Sequence, residues 1–333
     1  MSLKGYIKEN LPWIRSIYRK RWAPINIIHN MIDKPVAVLL YHRINYLNRD
    51  LFNINVTPEN FDSHIKVLKS QYNVITFDDL KHNNIKEPSV IITFDDGYYD
   101  NYKYAFPILK KYQVPATIFI TSGGVDTDKE FWWDRLETVL FENKNLRELI
   151  ELDILNQRHV FDVSDDTKRL HSFYTLHHML FSLHPNERDM ILDRWYEFYG
   201  LKVNPNNRTM TSPELVELYQ SKLVTLGAHT IHHPALKLIS EEEQLYEIKS
   251  SKLFLENLLD TDINLFAYPF GHKESFDQVA EHIVQNLGFI YSVSTNRAQF
   301  HSNTNPYSIP RFGIENWSED KFKQQMKLVW FEN

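Results

Sequence analysis

Ser89-Val90-Ile91-Ile92-Thr93-Phe94-Asp95-Asp96-Gly97 is the stretch on which the reading of this chain turns. A continuous Val/Ile/Phe run without polar alternation suits a strand covered on both faces, as in a parallel sheet. It stops at two adjacent carboxylates and a glycine. In parallel α/β sheets and barrels, the C-terminal ends of strands are where active sites are built. Gly97 permits a tight turn out of the strand. Two neighbouring like charges repel, so a compensating group is expected, and a cation would let the two carboxylates take different roles. Taken alone, Asp-Asp-Gly reads more readily as an Asx-type turn capping the next helix.

Working outward, strands and helices alternate. Pro35–Tyr41 reads as a first strand running into Tyr41-His42-Arg43. Thr57-Pro58-Glu59 is a helix start, with Thr57 as N-cap and proline at the first helical position. Asn73–Thr76 reads as a short strand, and Phe77-Asp78-Asp79-Leu80 as a short helix. After Gly97 comes a helix around Pro107, then a buried strand over Pro115–Ile120. Strand, helix, strand is the βαβ unit, which implies parallel strands. Further along, Leu223–Ala228 and Asn264–Tyr268 are strands, Ser240-Glu241-Glu242-Glu243 opens a long helix as a capping box, and a helix starts at Ser318. Residues 126–210 break the rhythm and read as a helical insertion. Its histidines, His171, His177, His178 and His184, have no acidic partners at ligand spacing and read as structural or surface residues.

Composition bounds the chemistry. The chain has 333 residues, 43% of them apolar, enough for a substantial core. With no cysteine, thiolate nucleophiles and Cys-ligated zinc are excluded and His, Asp and Glu remain as metal ligands. A net charge of −6 argues against a nucleic-acid partner. No run is long enough to span a membrane. Residues 1–34 form a basic N-terminal segment ahead of a domain over 35–333. Its Lys4, Lys8, Arg15, Arg19, Lys20 and Arg21 interleave with Leu11, Trp13, Ile14, Ile17, Tyr18 and Trp22. That pattern fits peripheral contact of residues 1–32 with an anionic membrane, or a basic helix docked on the domain. The expected location is cytoplasmic, with the inner membrane face as an extension of it.

The strand 223–228 leads straight into His229-Thr230-Ile231-His232-His233-Pro234. Two histidines four residues apart can converge on one ion from a compact loop. His229 and His233 have that spacing, and His232 points elsewhere. In a parallel sheet these residues share a face with Asp95 and Asp96. One carboxylate and two imidazoles make a three-ligand site with open positions, and the other carboxylate is free to act as a base.

Thr93-Phe94-Asp95-Asp96-Gly97 followed by His229-Thr230-Ile231-His232-His233 resembles the polysaccharide deacetylases of the NodB-homology type, carbohydrate esterase family 4. Ala267-Tyr268-Pro269-Phe270-Gly271 is similar to that family's third motif. The resemblance covers roughly 35–125 and 210–312. It implies a distorted parallel (β/α) barrel with fewer than eight strands and metal-dependent removal of N-acetyl, sometimes O-acetyl, from sugars. It further implies Asp95 as general base, Asp96, His229 and His233 as ligands of a divalent ion, zinc being the usual one, and Thr230 as a residue that orients the loop. Phe270, with Tyr268 and Arg311, would line the substrate and oxyanion pocket.

Three departures stand out. Ala267 occupies the place of the motif's usual arginine, which makes Arg311 a candidate substitute for tuning the base. Phe270 stands where many members have Tyr or Trp. No late Leu-x-His supplies a general acid, but a subset of the family takes it from an early Tyr-His, which makes His42 the candidate. Tyr98, Tyr99, Trp132, Trp133, Phe270 and Trp317 are candidate stacking faces for pyranose rings. The expected partner is an N-acetylated saccharide, lipid-linked in one variant of the reading. The alternatives are an amidase or deformylase of the same fold acting on a non-acetyl C–N bond, and an inactive glycan-binding relative.

Overall fold

The structure, a computed structural model, describes residue 30 and residues 33–81, 85–154 and 157–330. Apart from Asn30, the basic segment 1–32 lies outside the described residues, and with it the expected membrane contact. No helix among the described residues is long and apolar enough to cross a membrane.

Eight parallel strands form one sheet: β1 (Val36–Tyr41), β2 (Asn73–Val74), β3 (Ser89–Phe94), β4 (Ala116–Ile120), β5 (Val224–Ala228), β6 (Leu265–Ala267), β7 (Tyr291–Val293) and β8 (Phe312–Gly313). Seven lie on one path, β7-β6-β5-β4-β3-β1-β8, and the two-residue β2 pairs with the start of β3. The sheet is strongly curled. The tail residue Ile309 pairs with Val293 of β7, and three residues later Phe312 pairs with Leu39 of β1, so one short segment ties both margins together. This is the barrel-like α/β architecture expected from the motifs. All six positions of β1 and of β3 are buried, as their unbroken apolar sequences require of strands covered on both faces. Both hydroxyls in β3 are satisfied: Ser89 Oγ donates to the Glu87 carbonyl at 2.9 Å and Thr93 Oγ1 to the Leu39 carbonyl at 2.7 Å.

Helices cover the outside. Thr57 caps Pro58–Gln71 by accepting the Asn60 N–H, and Ser240 with Glu243 forms the reciprocal capping box of Glu241–Leu259, as the sequence pattern requires. Their apolar faces, with Phe61, Leu68 and Ile248, pack on the outer side chains of the sheet, such as Leu39, Ile92 and Ile118. A smaller cluster of Val36, Val38, Ile91, Phe119, Leu265 and Val293 fills the inside of the curl.

The segment 126–210 departs from a purely helical insertion. It contains helices Trp132–Glu137, Asp166–Phe181 and Pro185–Tyr199, but also the antiparallel pair Leu149–Ile154 and Gln157–Asp162. The first of these strands alternates strictly: Ile150, Leu152 and Ile154 are buried, while Leu149, Glu151 and Asp153 face out. That period of two spans only six residues, with Leu and Glu among them, and the helical composition around it masks the signal. The insertion has a core of its own, including Trp132, Trp133, Phe173, Leu176, Leu192 and Trp195, and it closes on the barrel through Tyr98.

Candidate metal centre and active-site cavity

The barrel delivers both clusters to the same rim. The chain leaves β3 at Phe94, and the Asp95 N–H is held by the Tyr41 carbonyl of β1 at 3.1 Å. Asp96 and Gly97 then take left-handed conformations, with φ of 74° and 77°. A Cβ on Gly97 would lie 3.0 Å from Ile120 Cδ1, so this turn needs glycine for both its φ and its space. The chain leaves β5 at Ala228, and the His229 N–H bonds the Ile120 carbonyl of β4 at 3.0 Å. The following loop folds back through left-handed Thr230 and His233 (φ 63° and 52°), and Thr230 Oγ1 accepts the His233 N–H at 3.1 Å. Left-handed non-glycine residues are uncommon and carry strain that the surroundings must hold. Here Asp96, Thr230, His233 and Phe270 all do so around one point.

That point is a three-ligand cluster. His229 donates Nδ1–H to the Ala267 carbonyl at 2.7 Å, which turns Nε2 towards Asp96. Asp96 Oδ1 lies 3.5 Å from His229 Nε2 and 3.4 Å from His233 Nε2. The three donor atoms fall within 4.8 Å of one another, and all three side chains are buried. Tetrahedral bonds of about 2.0–2.2 Å set ligand atoms about 3.4 Å apart, so the donor set fits a divalent ion. His232 is drawn away: its ring and backbone N–H both bond Glu247, at 2.6 and 2.9 Å. His233 Nδ1 has no hydrogen-bond partner among the described residues and lies under the edges of Trp133 and Phe270, with ring centroids at 4.9 and 4.6 Å.

Asp95 is held differently. Arg311 grips it in a two-pronged pair, Nη1 to Oδ1 at 2.7 Å and Nη2 to Oδ2 at 2.6 Å, while its Nε donates to the Ser294 carbonyl at 2.9 Å. Arg311 is fully buried in the segment that ties the sheet margins. It supplies the charge partner that Ala267 lacks, but as a group behind the base rather than one facing substrate. Burial pushes the Asp95 carboxyl up, and Arg311 together with His229 overcomes this and holds it below the usual range. Burial acts the same way on Asp96, yet its hydrogen bond with His229 and the nearby His233 and His42 bring it down to about 2. Both carboxylates are therefore charged at neutral pH.

A cavity of about 230 Å³ opens above these groups, a little below the ~300–1,000 Å³ of most small-molecule sites. His42 lines it beside Asp95, Asp96, His229 and His233, and Asn101 Nδ2 fastens the His42 carbonyl at 2.8 Å. Phe270 (φ 61°) lines it too, with its carbonyl held by Thr295 Oγ1 at 2.9 Å. Tyr268 does not line it, which corrects its assignment to the substrate pocket. A strand alternates its faces, and the side chain next to the cavity-facing residues turns into the core: its ring stacks on Phe276 at 4.0 Å and its hydroxyl bonds the Tyr307 carbonyl at 2.9 Å. Of the candidate stacking residues, Trp133 and Phe270 line the cavity. Tyr98 and Trp132 are buried in the insertion core, Tyr99 lies under Arg208, and Trp317 packs near Phe322.

The cavity also contains residues that the motifs do not mark: Phe52, Ile54, His177, His272 and Thr295. His272 directly follows Pro269-Phe270-Gly271 and was findable by adjacency. His177 comes from the insertion and carries no sequence signal.

Comparison with known proteins agrees with this geometry. The family model for polysaccharide deacetylase matches residues 82–149 and 191–292, just over half of the chain. YxkH of Bacillus subtilis (strain 168) is 41% identical over 101 residues, 28% of this chain, which spans only 35% of that relative's length. The poly-beta-1,6-N-acetyl-D-glucosamine N-deacetylase of Staphylococcus aureus (strain N315) is 24% identical over 312 residues, 89% of this chain and 83% of that protein. Among solved structures, the deacetylase PplD of Streptococcus pyogenes, in complex with acetate, superposes with a TM-score of 0.57 at 20% identity, covering 88% of this chain and 99% of that one. IcaB from Ammonifex degensii gives 0.57 at 16% identity, covering 90% and 97%. The structural likenesses show a shared fold.

Proposed function

From the premise that this chain belongs to the polysaccharide deacetylase family, hydrolases of non-peptide C–N bonds, we propose that it removes N-acetyl groups from amino sugars of a poly- or oligosaccharide, using a zinc ion held by Asp96, His229 and His233. The observation that carries this reading is the division of labour between adjacent carboxylates. Asp96 faces two imidazole nitrogens at 3.4–3.5 Å, whereas Asp95 is clamped by Arg311.

When bound, the ion supplies Lewis acidity, which lowers the pKa of a coordinated water and offsets charge on the acetyl oxygen. The protein's own groups do the rest. Asp95, kept ionised by Arg311, accepts the proton of the attacking water. The fork of two hydrogen bonds leaves the carboxylate no freedom to rotate towards Asp96. His229 keeps its Nε2 lone pair available because its Nδ1–H is donated to the Ala267 carbonyl. Phe270, held in its left-handed turn, lines the acetyl pocket. His42, on the cavity wall, donates a proton to the departing amine, which would otherwise leave as a strongly basic anion. Trp133 and Phe270 exclude water and offer apolar faces to the sugar and the acetyl methyl.

Arg311 bears on the inactive-relative alternative. Ala267 alone would suggest a disabled site, but a guanidinium reaches Asp95 from elsewhere in the chain. The test is acetate release from N-acetylglucosamine oligomers by the wild type and by Asp95→Asn, with metal content measured on the same samples. The expected result is release by the wild type and a fall of about 10²–10⁴-fold in the variant with its ion retained. An undiminished rate in Asp95→Asn would refute the assignment. Release of formate or ammonia from small amides, but no acetate from sugars, would favour the amidase.

A further inference from the structure

The cavity wall supplied by Phe52, Ile54, Trp133 and Phe270 is apolar, and His177 interrupts it. This residue sits on the insertion helix Asp166–Phe181. Its ring packs against Trp132, with centroids 4.6 Å apart and planes at 28°, and against Phe52 at 4.8 Å. Its position is braced, because Tyr174 on the same helix donates its hydroxyl to the Leu51 carbonyl at 2.9 Å, tying the helix to the loop that carries Phe52. Neither ring nitrogen of His177 has a hydrogen-bond partner among the described residues. A phenylalanine would make the same stacking contacts; the half-buried histidine adds two ring nitrogens that are not sealed off and can face the cavity. Burial, with the Arg188 charge nearby, lowers the His177 pKa to about 4. At neutral pH the ring is therefore uncharged and offers one N–H donor and one acceptor nitrogen. A sugar hydroxyl presents the matching pair, and neither partner needs a charge.

Resting on the deacetylase reading above, we propose that His177 is a specificity-determining residue that exchanges a hydrogen bond with a hydroxyl of the amino sugar seated over the Asp96, His229 and His233 cluster. The insertion, which carries none of the recognisable motifs, thereby takes part in recognising the sugar.

The test compares His177→Phe and His177→Gln with the wild type, using N-acetylglucosamine oligomers. Melting temperature and metal content establish that each variant is folded and loaded. Phenylalanine keeps the stacking and should raise KM about tenfold, the worth of one neutral hydrogen bond, with little change in kcat. Glutamine restores a donor and an acceptor and should recover part of the loss. In reciprocal fashion, a set of monodeoxy N-acetylglucosamine oligomers should contain one position whose removal raises the wild-type KM but leaves that of His177→Phe unmoved. A wild-type KM in His177→Phe, or the absence of any such deoxy position, overturns the proposal. Calorimetric binding of the same oligomers keeps the two readings apart. If the wild type binds but releases no acetate, the deacetylase reading fails, and a tenfold weaker binding by His177→Phe still decides for His177 and equal binding against it.

Discussion

The barrel and the insertion solve the same problem, placing side chains over one cavity, by different means. The barrel uses strand ends. Asp95 and Asp96 follow β3, His229 follows β5, and the backbone bonds of Tyr41 and Ile120 fix the first residue beyond each strand. Such positions are set by sheet register, and sheet register is set by buried apolar runs. The insertion uses packed helices and a hairpin whose cavity-facing residues, Trp133 and His177, are positioned by side-chain contacts alone. The carboxylate and imidazole cluster sits on the first; the second adds Trp133 and His177 to a wall that the barrel's Phe52, Ile54 and Phe270 complete.

This difference can be attacked from either side, and the largest effect is expected in the barrel. Arg311→Met removes one member of a fully buried pair and strands the Asp95 charge. A loss of about 3–5 kcal/mol of stability is expected together with a collapse of acetate release, measured by denaturant unfolding and steady-state kinetics. Arg311→Lys keeps the charge but loses the fork, and should recover stability more than rate. If Arg311→Met is as stable and active as the wild type, the barrel's charge arrangement is not what holds the base.

Two neutral histidines give the next comparison. His64, on the barrel helix Pro58–Gln71, is fully buried and satisfied: its Nε2 donates to the Trp317 carbonyl at 2.7 Å and its ring stacks on Phe322 at 4.0 Å. Burial lowers its pKa to about 4, against about 6.5 in the unfolded chain. Between those values the unfolded chain binds more protons, so stability falls as pH drops. The contribution is complete above pH 6.5 and lost on the way to pH 4, about 3 kcal/mol in all. His64→Phe should flatten the stability profile over that window. His177 has the same depressed value without the hydrogen bond, so its replacement should change substrate KM where that of His64 does not. An unchanged pH profile in His64→Phe would remove this contrast.

The smallest effect is expected at the seam. Trp133 Nε1 donates to the Tyr98 hydroxyl at 2.8 Å, which donates to Asp134 at 2.7 Å. Arg43, buried beneath, bonds Asp100 at 2.9 Å and approaches Asp134 at 3.5 Å. Tyr98→Phe unhooks the Trp133 wall from the barrel at a cost of about 1–2 kcal/mol. Its signature should be a raised KM for oligomers with retained metal. A loss of metal instead would mean that the seam supports the ligands rather than the wall.

What was legible in the sequence follows the same division. The Val/Ile run before Asp95-Asp96 and the strand before His229 announce their faces, and both motifs are legible in the sequence. Arg311 is legible only as a replacement for the arginine that Ala267 displaces. It lies 216 positions from Asp95, a pairing that no local pattern encodes. Tyr268 was misjudged because a motif does not say which of its neighbours turn inward. The hairpin Leu149–Ile154 with Gln157–Asp162 was hidden by helix-forming residues, and His177 by the lack of any acidic neighbour. Both became visible only through the packing of the insertion onto the barrel.

The most direct test of the metal cluster is elemental analysis of the purified chain alongside Asp96→Ala and His232→Ala. The account predicts one equivalent of a divalent ion in the wild type and in His232→Ala, and none in Asp96→Ala. An ion retained at full occupancy in Asp96→Ala, or lost in His232→Ala, would contradict it.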